Sequence, residues 1–396
     1  MRKAADSHDV ALEEGTGCWR RRRPPPPTMR CLHLSGSIAF SIILLHAVLF
    51  SPFSHAMAFA SPSTTIVVSG ACGKVGSRLL RELLNSNGGS NQIVALVRDA
   101  NKLKNMMKDT GNVDDGIAGL SIMQADYSNP ERLRNAFESI PATDECRLFL
   151  SCGNVPDQAN LELNVLKEAI AHTRSSKSSL FTAKLSTATP IMDANDGEGA
   201  SAYAKEHRVV EEYLRANSDG NYCVLRPNMF MQVLTAGSFL GINIPFVADD
   251  PEMDEGGLHV IMKATHPMAD CTISMIDCID VASVAANILL STKPAEEHGN
   301  KFYELTGPSS VSIRKDVASA ISEELQRSVV IENISLKAAL ESIGIPSAAA
   351  KGLQPFLDEL GKYKEVTGQV EQLLNRPGRS IRDFVRDDKS AFESKS

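Results

Sequence analysis

Three glycines spaced three apart, Gly70, Gly73 and Gly76, interrupt the stretch "TTIVVSGACGKVGSRLLRELL" between Thr64 and Leu84. A β-branched run precedes them. An apolar pattern of helical period follows, with Val75, Leu79, Leu80, Leu83 and Leu84 on one face. Few structures accept this order other than a strand, a tight turn and a helix. Without side chains the turn brings backbone close to a ligand, and the helix N-terminus offers free N–H groups and a positive dipole end. That combination suits a pyrophosphate. The pattern therefore predicts a dinucleotide site, with Gly76 also letting the helix pack closely.

The rest of the chain supports this reading. Strand and helix patterns alternate from Thr64 to Asn228. "NQIVALVRDA", "LSIMQADY", "CRLFLSCG", "SLFTAKLST" and "NYCVLRPN" read as strands. "NKLKNMM", "PERLRNAFESI", "NLELNVLKEAIAHT" and "AKEHRVVEEYLRAN" read as the helices between them. Helices between consecutive strands force parallel pairing. The expected fold is α/β, a doubly wound parallel Rossmann sheet over 64–235, with a smaller, mainly helical C-terminal substrate domain over 236–396. Residues 240–270 read as a loop or hairpin. "CTISMID" and "KFYELTG" read as further strands, flanking a helix that Asp280 would cap.

The end of the second predicted strand selects the cofactor. An acidic residue there serves the ribose 2′-OH of NAD, and an arginine accommodates the 2′-phosphate of NADP. The sequence is "VALVRD", so Arg98 favours NADP(H), and Lys74 in the glycine loop adds a cation. Asp99 beside Arg98 keeps the NAD alternative open.

Ahead of this region the chain is different. Residues 1–28 include "RRRRPPPP" and read as a disordered leader or a gene-model extension. Residues 29–58 carry an apolar run from Ile38 to Phe50, shorter than the roughly 20 residues a span needs, and then "AMA" before Phe59. This is the layout of a signal peptide, with an N-terminal anchor as the alternative. "AMAFASPS" resembles the ASAF motif of presequences in algae with plastids of secondary origin. That resemblance implies a plastid destination through the ER; secretion or ER residence is the alternative. No stable membrane span is expected after cleavage. Beyond residue 58 there are 34 basic and 44 acidic side chains, a net of −10, with no basic stripe. Nucleic-acid binding is not expected. Six cysteines remain, none in a Cys-x-x-Cys pair or at metal spacing, so no metal site is expected.

Short-chain dehydrogenases use a tyrosine and a lysine four residues later on one helix face. Here "SAYAKEHRVVEE" has Tyr203, but position 207 is His. Lys205 is only two residues on and faces elsewhere. His207 is then the candidate to polarise Tyr203 or to act itself. Ser186 and Thr187, ending the fifth strand, are candidates to bond a substrate carbonyl.

Taken together, "GACGKVG", "VALVRD", "ADYSNPERLRNAF", "EHRVVEEYLRAN...YCVLRPNMFM", "IDCIDVASVAANIL", "KFYELTGP" and "VTGQVEQLLNRPGRSIRDFVRD" resemble the NmrA-like family of atypical short-chain dehydrogenases. The last two blocks, and the His of "EH", are similar to the NADPH-dependent quinone reductases of that group. The resemblance covers about residues 64–392. It implies that Gly70, Gly73, Lys74, Val75 and Gly76 hold the pyrophosphate and Arg98 the 2′-phosphate. Asp126 would meet the adenine, and Ser151, Cys152 and Gly153 would line the nicotinamide ribose. Pro227, Asn228 and Phe230 would flank the nicotinamide. The segment around 249–268 departs from the family where substrate contacts belong. Two functions stay open: a reductase of a quinone or small carbonyl compound, or a non-catalytic NADP(H) redox sensor or plastid assembly factor. An epimerase is a third reading. A homodimer is compatible with either of the first two.

Overall fold

The computed structural model describes residues 63–86, 89–108, 119–153, 155, 157–187, 202–235, 243–249, 258–265, 268–342 and 360–392. The leader expected at 1–28 and the signal peptide expected at 29–58 lie outside the described residues.

The predicted alternation is present. Strands β1 (Thr64–Val68), β2 (Gln92–Val97), β3 (Leu120–Gln124), β4 (Glu145–Leu150), β5 (Ser179–Leu185) and β6 (Tyr222–Pro227) alternate with helices. These are α1 (Lys74–Ser86), α2 (Ala100–Lys108), α3 (Pro130–Glu138), α4 (Gln158–Ser176) and α5 (Ala202–Asn217). Pro130 takes the first turn of α3, where its missing N–H costs nothing, and Asn129 caps the helix through the Arg132 amide.

All strands of the main sheet run parallel. Their order is β3-β2-β1-β4-β5-β6-β9, the last being Lys301–Leu305, far along the chain. The order reverses between β1 and β4, and the crevice outside the carboxyl ends of those strands is where such sheets bind ligands. The central strands are buried on both faces, which is why they read as continuous apolar runs rather than alternating ones.

Two hydrophobic layers cover the sheet. One includes Leu79, Leu80 and Leu83 of α1 together with Val281, Val284, Ala285 and Ile288 of α6 (Cys278–Leu290). The other gathers Leu133 and Phe137, Val165 and Leu166, and Val210 and Leu214, from α3, α4 and α5. A buried arginine fastens α6 at its far end. Arg147 on β4 donates to the carbonyls of Leu289 and Ser291, placing a cation on the helix C-terminus.

Segments beyond residue 235 therefore return to the main sheet, through α6 and β9. The remainder forms its own apolar cluster, from Met229 to Phe392. Within it, β7 (Asn243–Asp249) and β8 (Leu258–Thr265) make the antiparallel hairpin expected between 240 and 270. A late strand, Ser328–Ile334, lies parallel to β8, so this helical region also holds a three-stranded sheet. A strand pairing between residues 69 apart, such as Ser328 and His259, leaves no local trace in the sequence.

The cap expected at Asp280 is displaced. Asp277 caps α6, accepting from the Ile279 amide. Asp280 lies within the first turn, fully buried. It accepts from the Arg376 guanidinium at 2.8 Å and the Arg379 amide at 2.6 Å. The physical reason is that the helix begins three residues earlier, so Asp280 faces the segment that precedes helix Ile381–Asp387.

Candidate functional site

The glycine loop sits at the switch point and is tied to both neighbouring strands. Ser69, following β1, shares its one hydroxyl proton between the carbonyls of Phe149 and Ser151, 3.0 and 2.9 Å from Oγ, and accepts from the Ser151 amide. Gly70 has φ +61, and a Cβ on it would stand 2.5 Å from the Ser151 carbonyl oxygen. A Cβ on Gly76 would stand 2.2 Å from the Gly70 carbonyl oxygen. Two glycines are thus required by the chain's own close approaches, before any ligand enters. Gly76 packs on the loop rather than on the sheet. The Gly73 amide closes the turn onto the Gly70 carbonyl at 2.8 Å, and Ser77 bonds the Gly73 carbonyl. The first-turn N–H groups of α1 (Lys74, Val75 and Gly76) have no intrahelical partners.

Tyr127 anchors the loop from beneath. Its hydroxyl accepts from the Gly70 amide and donates to the Leu96 carbonyl on β2. Burial pushes the phenol well above its ordinary value, so it stays protonated and able to donate. Nothing in the sequence singles this tyrosine out, because both its partners are backbone atoms.

Arg98 follows β2 and is exposed. Asp99 is engaged elsewhere: its Oδ1 accepts from the amides of Asn101 and Lys102 at 2.9 and 3.1 Å, capping α2. Arg98 and Lys102 both act electrostatically on Cys72 in the loop, so two exposed cations stand at this side of the cleft. Burial nevertheless leaves the Cys72 thiol above its ordinary value. Asp126, just past β3, accepts from the Ser128 amide and hydroxyl, and those bonds lower its carboxyl below the usual range.

Lys74 spans the cleft. Its Nζ donates to the Gln232 carbonyl at 3.2 Å. Gln232 is buried, and its amide group bonds Asp277, which in turn accepts from Arg379 at 2.7 Å. The C-terminal "GRSIRDFVRD" block is thereby connected to the phosphate-side loop.

At the ends of β4 and β5 the chain places a cluster in which Lys184 and Glu162 join the residues expected there. Ser151 and Cys152 are half-buried, and Gly153, with φ +90, has open space where a Cβ would stand. The Cys152 amide donates to Glu162 Oε1 of α4 at 3.1 Å. Lys184 of β5 is fully buried against Glu162, 2.9 Å from Oε2, and also donates to the Leu185 carbonyl. Its Nζ is 3.1 Å from His207 Nδ1. A lone lysine in a strand buried on both faces is the one signal the sequence carried.

His207 is 1% exposed. Nδ1 faces Gln158 Nε2 at 2.9 Å, and Nε2 takes the Thr187 amide at 3.1 Å and lies 2.9 Å from the Thr187 hydroxyl. Burial first, then the charges of Lys184 and Arg226, hold the imidazole neutral, well below its ordinary value. Ser186 is also fully buried. Neither His207 nor Ser186, both expected at the substrate, presents its side chain to the surface. The reason is that α5 lies against α4 here; Glu206 beside His207 caps that helix at the Ala159 amide. Thr187 is the half-buried group that His207 orients. Tyr203 opens α5, and its side chain lies outside the described residues.

Pro227 ends β6. Asn228, expected beside the nicotinamide, is buried and donates to the Tyr363 carbonyl at 3.0 Å. It ties the C-terminal region to the end of β6. Phe230 is half-buried and bridges to Ile276. Among the described residues no cluster of three His, Cys, Asp or Glu is placed to hold a metal. The six described cysteines are unbonded to one another.

Comparison with known proteins finds similarity over the region that holds this cleft. Residues 70–241 match the family profile described as NAD(P)H-binding.

Solved structures share the fold across most of the chain. A nucleoside-diphosphate-sugar epimerase from Staphylococcus aureus aligns with TM-score 0.57 and 17% identity, covering 81% of this chain and 99% of its own. A new type of NADPH-dependent quinone oxidoreductase from Escherichia coli gives 0.56 and 21%, covering 82% and 99%. AtPrR2, bound to NADP+ and (+)-pinoresinol, gives 0.52 and 11%, covering 83% and 99%. No curated protein matches the chain. The NmrA-like resemblance agrees with this NAD(P)H-binding domain and these neighbours, and the profile covers the glycine loop through the end of β6. Among the described residues no helix is long and apolar enough to cross a membrane.

Proposed function

We propose that the protein is an NADPH-dependent reductase of quinones or similar small carbonyl compounds. The observation that carries the cofactor choice is the pair Arg98 and Asp99. The acidic residue that would serve an NAD ribose is spent on capping α2, while Arg98 is exposed with Lys102 nearby. That arrangement suits a 2′-phosphate.

The cradle fits the cofactor. The loop from Gly70 to Gly76 and the first turn of α1 would hold the pyrophosphate. Asp126 would meet the adenine, and Ser151, Cys152 and Gly153 the nicotinamide ribose. When bound, NADPH supplies the reducing equivalent to the substrate. Thr187, held by His207, would orient the substrate oxygen. A quinone suits a site whose described surface groups include no strong acid, since its reduced anion is stabilised by its own ring. The E. coli neighbour, an NADPH-dependent quinone oxidoreductase by title, supports this substrate class.

A second reading has its own support. His207 and Ser186 are withdrawn from the surface, as expected of a dinucleotide sensor without turnover. Mixing the protein with NADPH and a quinone panel, following loss of the reduced-nicotinamide absorbance, separates the two. Turnover that falls in Thr187→Val supports the reductase. Tight NADPH binding with no turnover on any quinone supports the sensor. We place the protein in the plastid on the strength of its 29–58 leader; a fluorescent fusion of 29–75 diverted by Phe59→Ala is the expected result, and unchanged routing removes the assignment.

A further inference from the structure

The buried Lys184–Glu162 pair takes no part in the reading above, yet it is costly to keep. Both side chains are withdrawn from water, at 0% and 1% exposure. A buried ion pair can often be replaced by apolar residues of similar volume with no loss of stability. Stability alone is therefore a poor reason for it, and its partners suggest another. Lys184 donates to the Leu185 carbonyl, the last residue of β5. Glu162 accepts from the Cys152 amide, two residues past β4. Lys184 also meets His207, whose far nitrogen takes the Thr187 amide and faces its hydroxyl. Three backbone positions at the carboxyl ends of two adjacent strands are thus fixed by one charged pair. Those ends border the crevice where a doubly wound sheet binds its ligand.

We propose that Lys184 and Glu162 are positioning residues for the nicotinamide half of the dinucleotide. They set the backbone at Cys152 and Leu185, and through His207 they set Thr187, so that the floor of that half-site is rigid before the cofactor arrives. The adenosine half, held by the glycine loop and Arg98, does not depend on them. This inference rests on the dinucleotide reading.

The test compares two ligands by calorimetry on the native protein and on Lys184→Met/Glu162→Leu. NADPH reports both halves; adenosine 2′,5′-bisphosphate reports the adenosine half alone. Thermal unfolding checks that the double variant is folded, and Glu162→Gln replaces it if it is not. The expected result is unchanged bisphosphate affinity with NADPH weakened at least tenfold. Unchanged affinity for both ligands, or an equal loss for both, overturns the positioning role. Failure of the native protein to bind either ligand removes the dinucleotide reading itself, and this inference with it.

Discussion

The hydroxyl oxygen of Tyr127 stands 2.9 Å from the amide nitrogen of Gly70 and 2.9 Å from the carbonyl oxygen of Leu96. One side chain thereby joins the glycine loop to β2, the strand that ends beside Arg98. Its removal leaves a buried donor and a buried acceptor unpaired. Tyr127→Phe is expected to destabilise the protein by about 1–3 kcal/mol and to weaken NADPH binding. Denaturant unfolding and calorimetry check both. Unchanged values in both would show that the loop does not depend on this bridge.

Gly76→Ala places a methyl 2.2 Å from the Gly70 carbonyl oxygen. Backbone has to move, at a cost of about 1–3 kcal/mol typical of overpacking. Dinucleotide affinity is expected to fall with it, because the displaced atoms are the cradle. A folded variant with native affinity would show that the ligand sits elsewhere.

His207 gives stability a pH dependence of definite sign. Folded, its imidazole is held neutral far below its ordinary value of 6.5; unfolded, it takes up a proton below that value. The unfolded state binds the extra proton, so stability falls as pH drops below about 6.5, by up to about 1.4 kcal/mol per pH unit. Above pH 6.5 this contribution is flat. His207→Gln should remove that part of the slope between pH 6.5 and 5. An unchanged slope would show that the imidazole protonates within the fold.

Asp280 is buried between Arg376 and the Arg379 amide, with Arg376 part-exposed. Asp280→Ala leaves the Arg379 amide without its acceptor and the Arg376 guanidinium with the Pro377 carbonyl alone of its two acceptors. A loss of about 1–3 kcal/mol is expected, and limited proteolysis should reach the segment between Arg376 and Ser380 first. A variant as stable and as protease-resistant as the native protein would contradict the account of this contact.

Legibility in the sequence followed the range of the interactions. The β1–glycine–α1 unit was legible because strand, turn and helix lie within 23 residues and each has a local pattern. Pro130 and Asn129 mark the start of α3 for the same reason. Asp280 reads locally as a cap because its partners, Arg376 and Arg379, lie about a hundred residues on. Tyr127 was passed over because it bonds only backbone. His207 was noticed for its spacing from Tyr203, but its burial depends on α4 and on Lys184, which no spacing rule reaches. The strand order, and the parallel pairing of 328–334 with β8, are likewise properties of the assembled chain.

The most direct measurement is a calorimetric titration of the native protein and of Arg98→Ala with NADPH and with NADH. The account predicts that the native protein binds NADPH at least tenfold more tightly, and that Arg98→Ala loses most of that preference while keeping its affinity for NADH. Equal native affinities, or a preference for NADPH that survives the substitution, would contradict it.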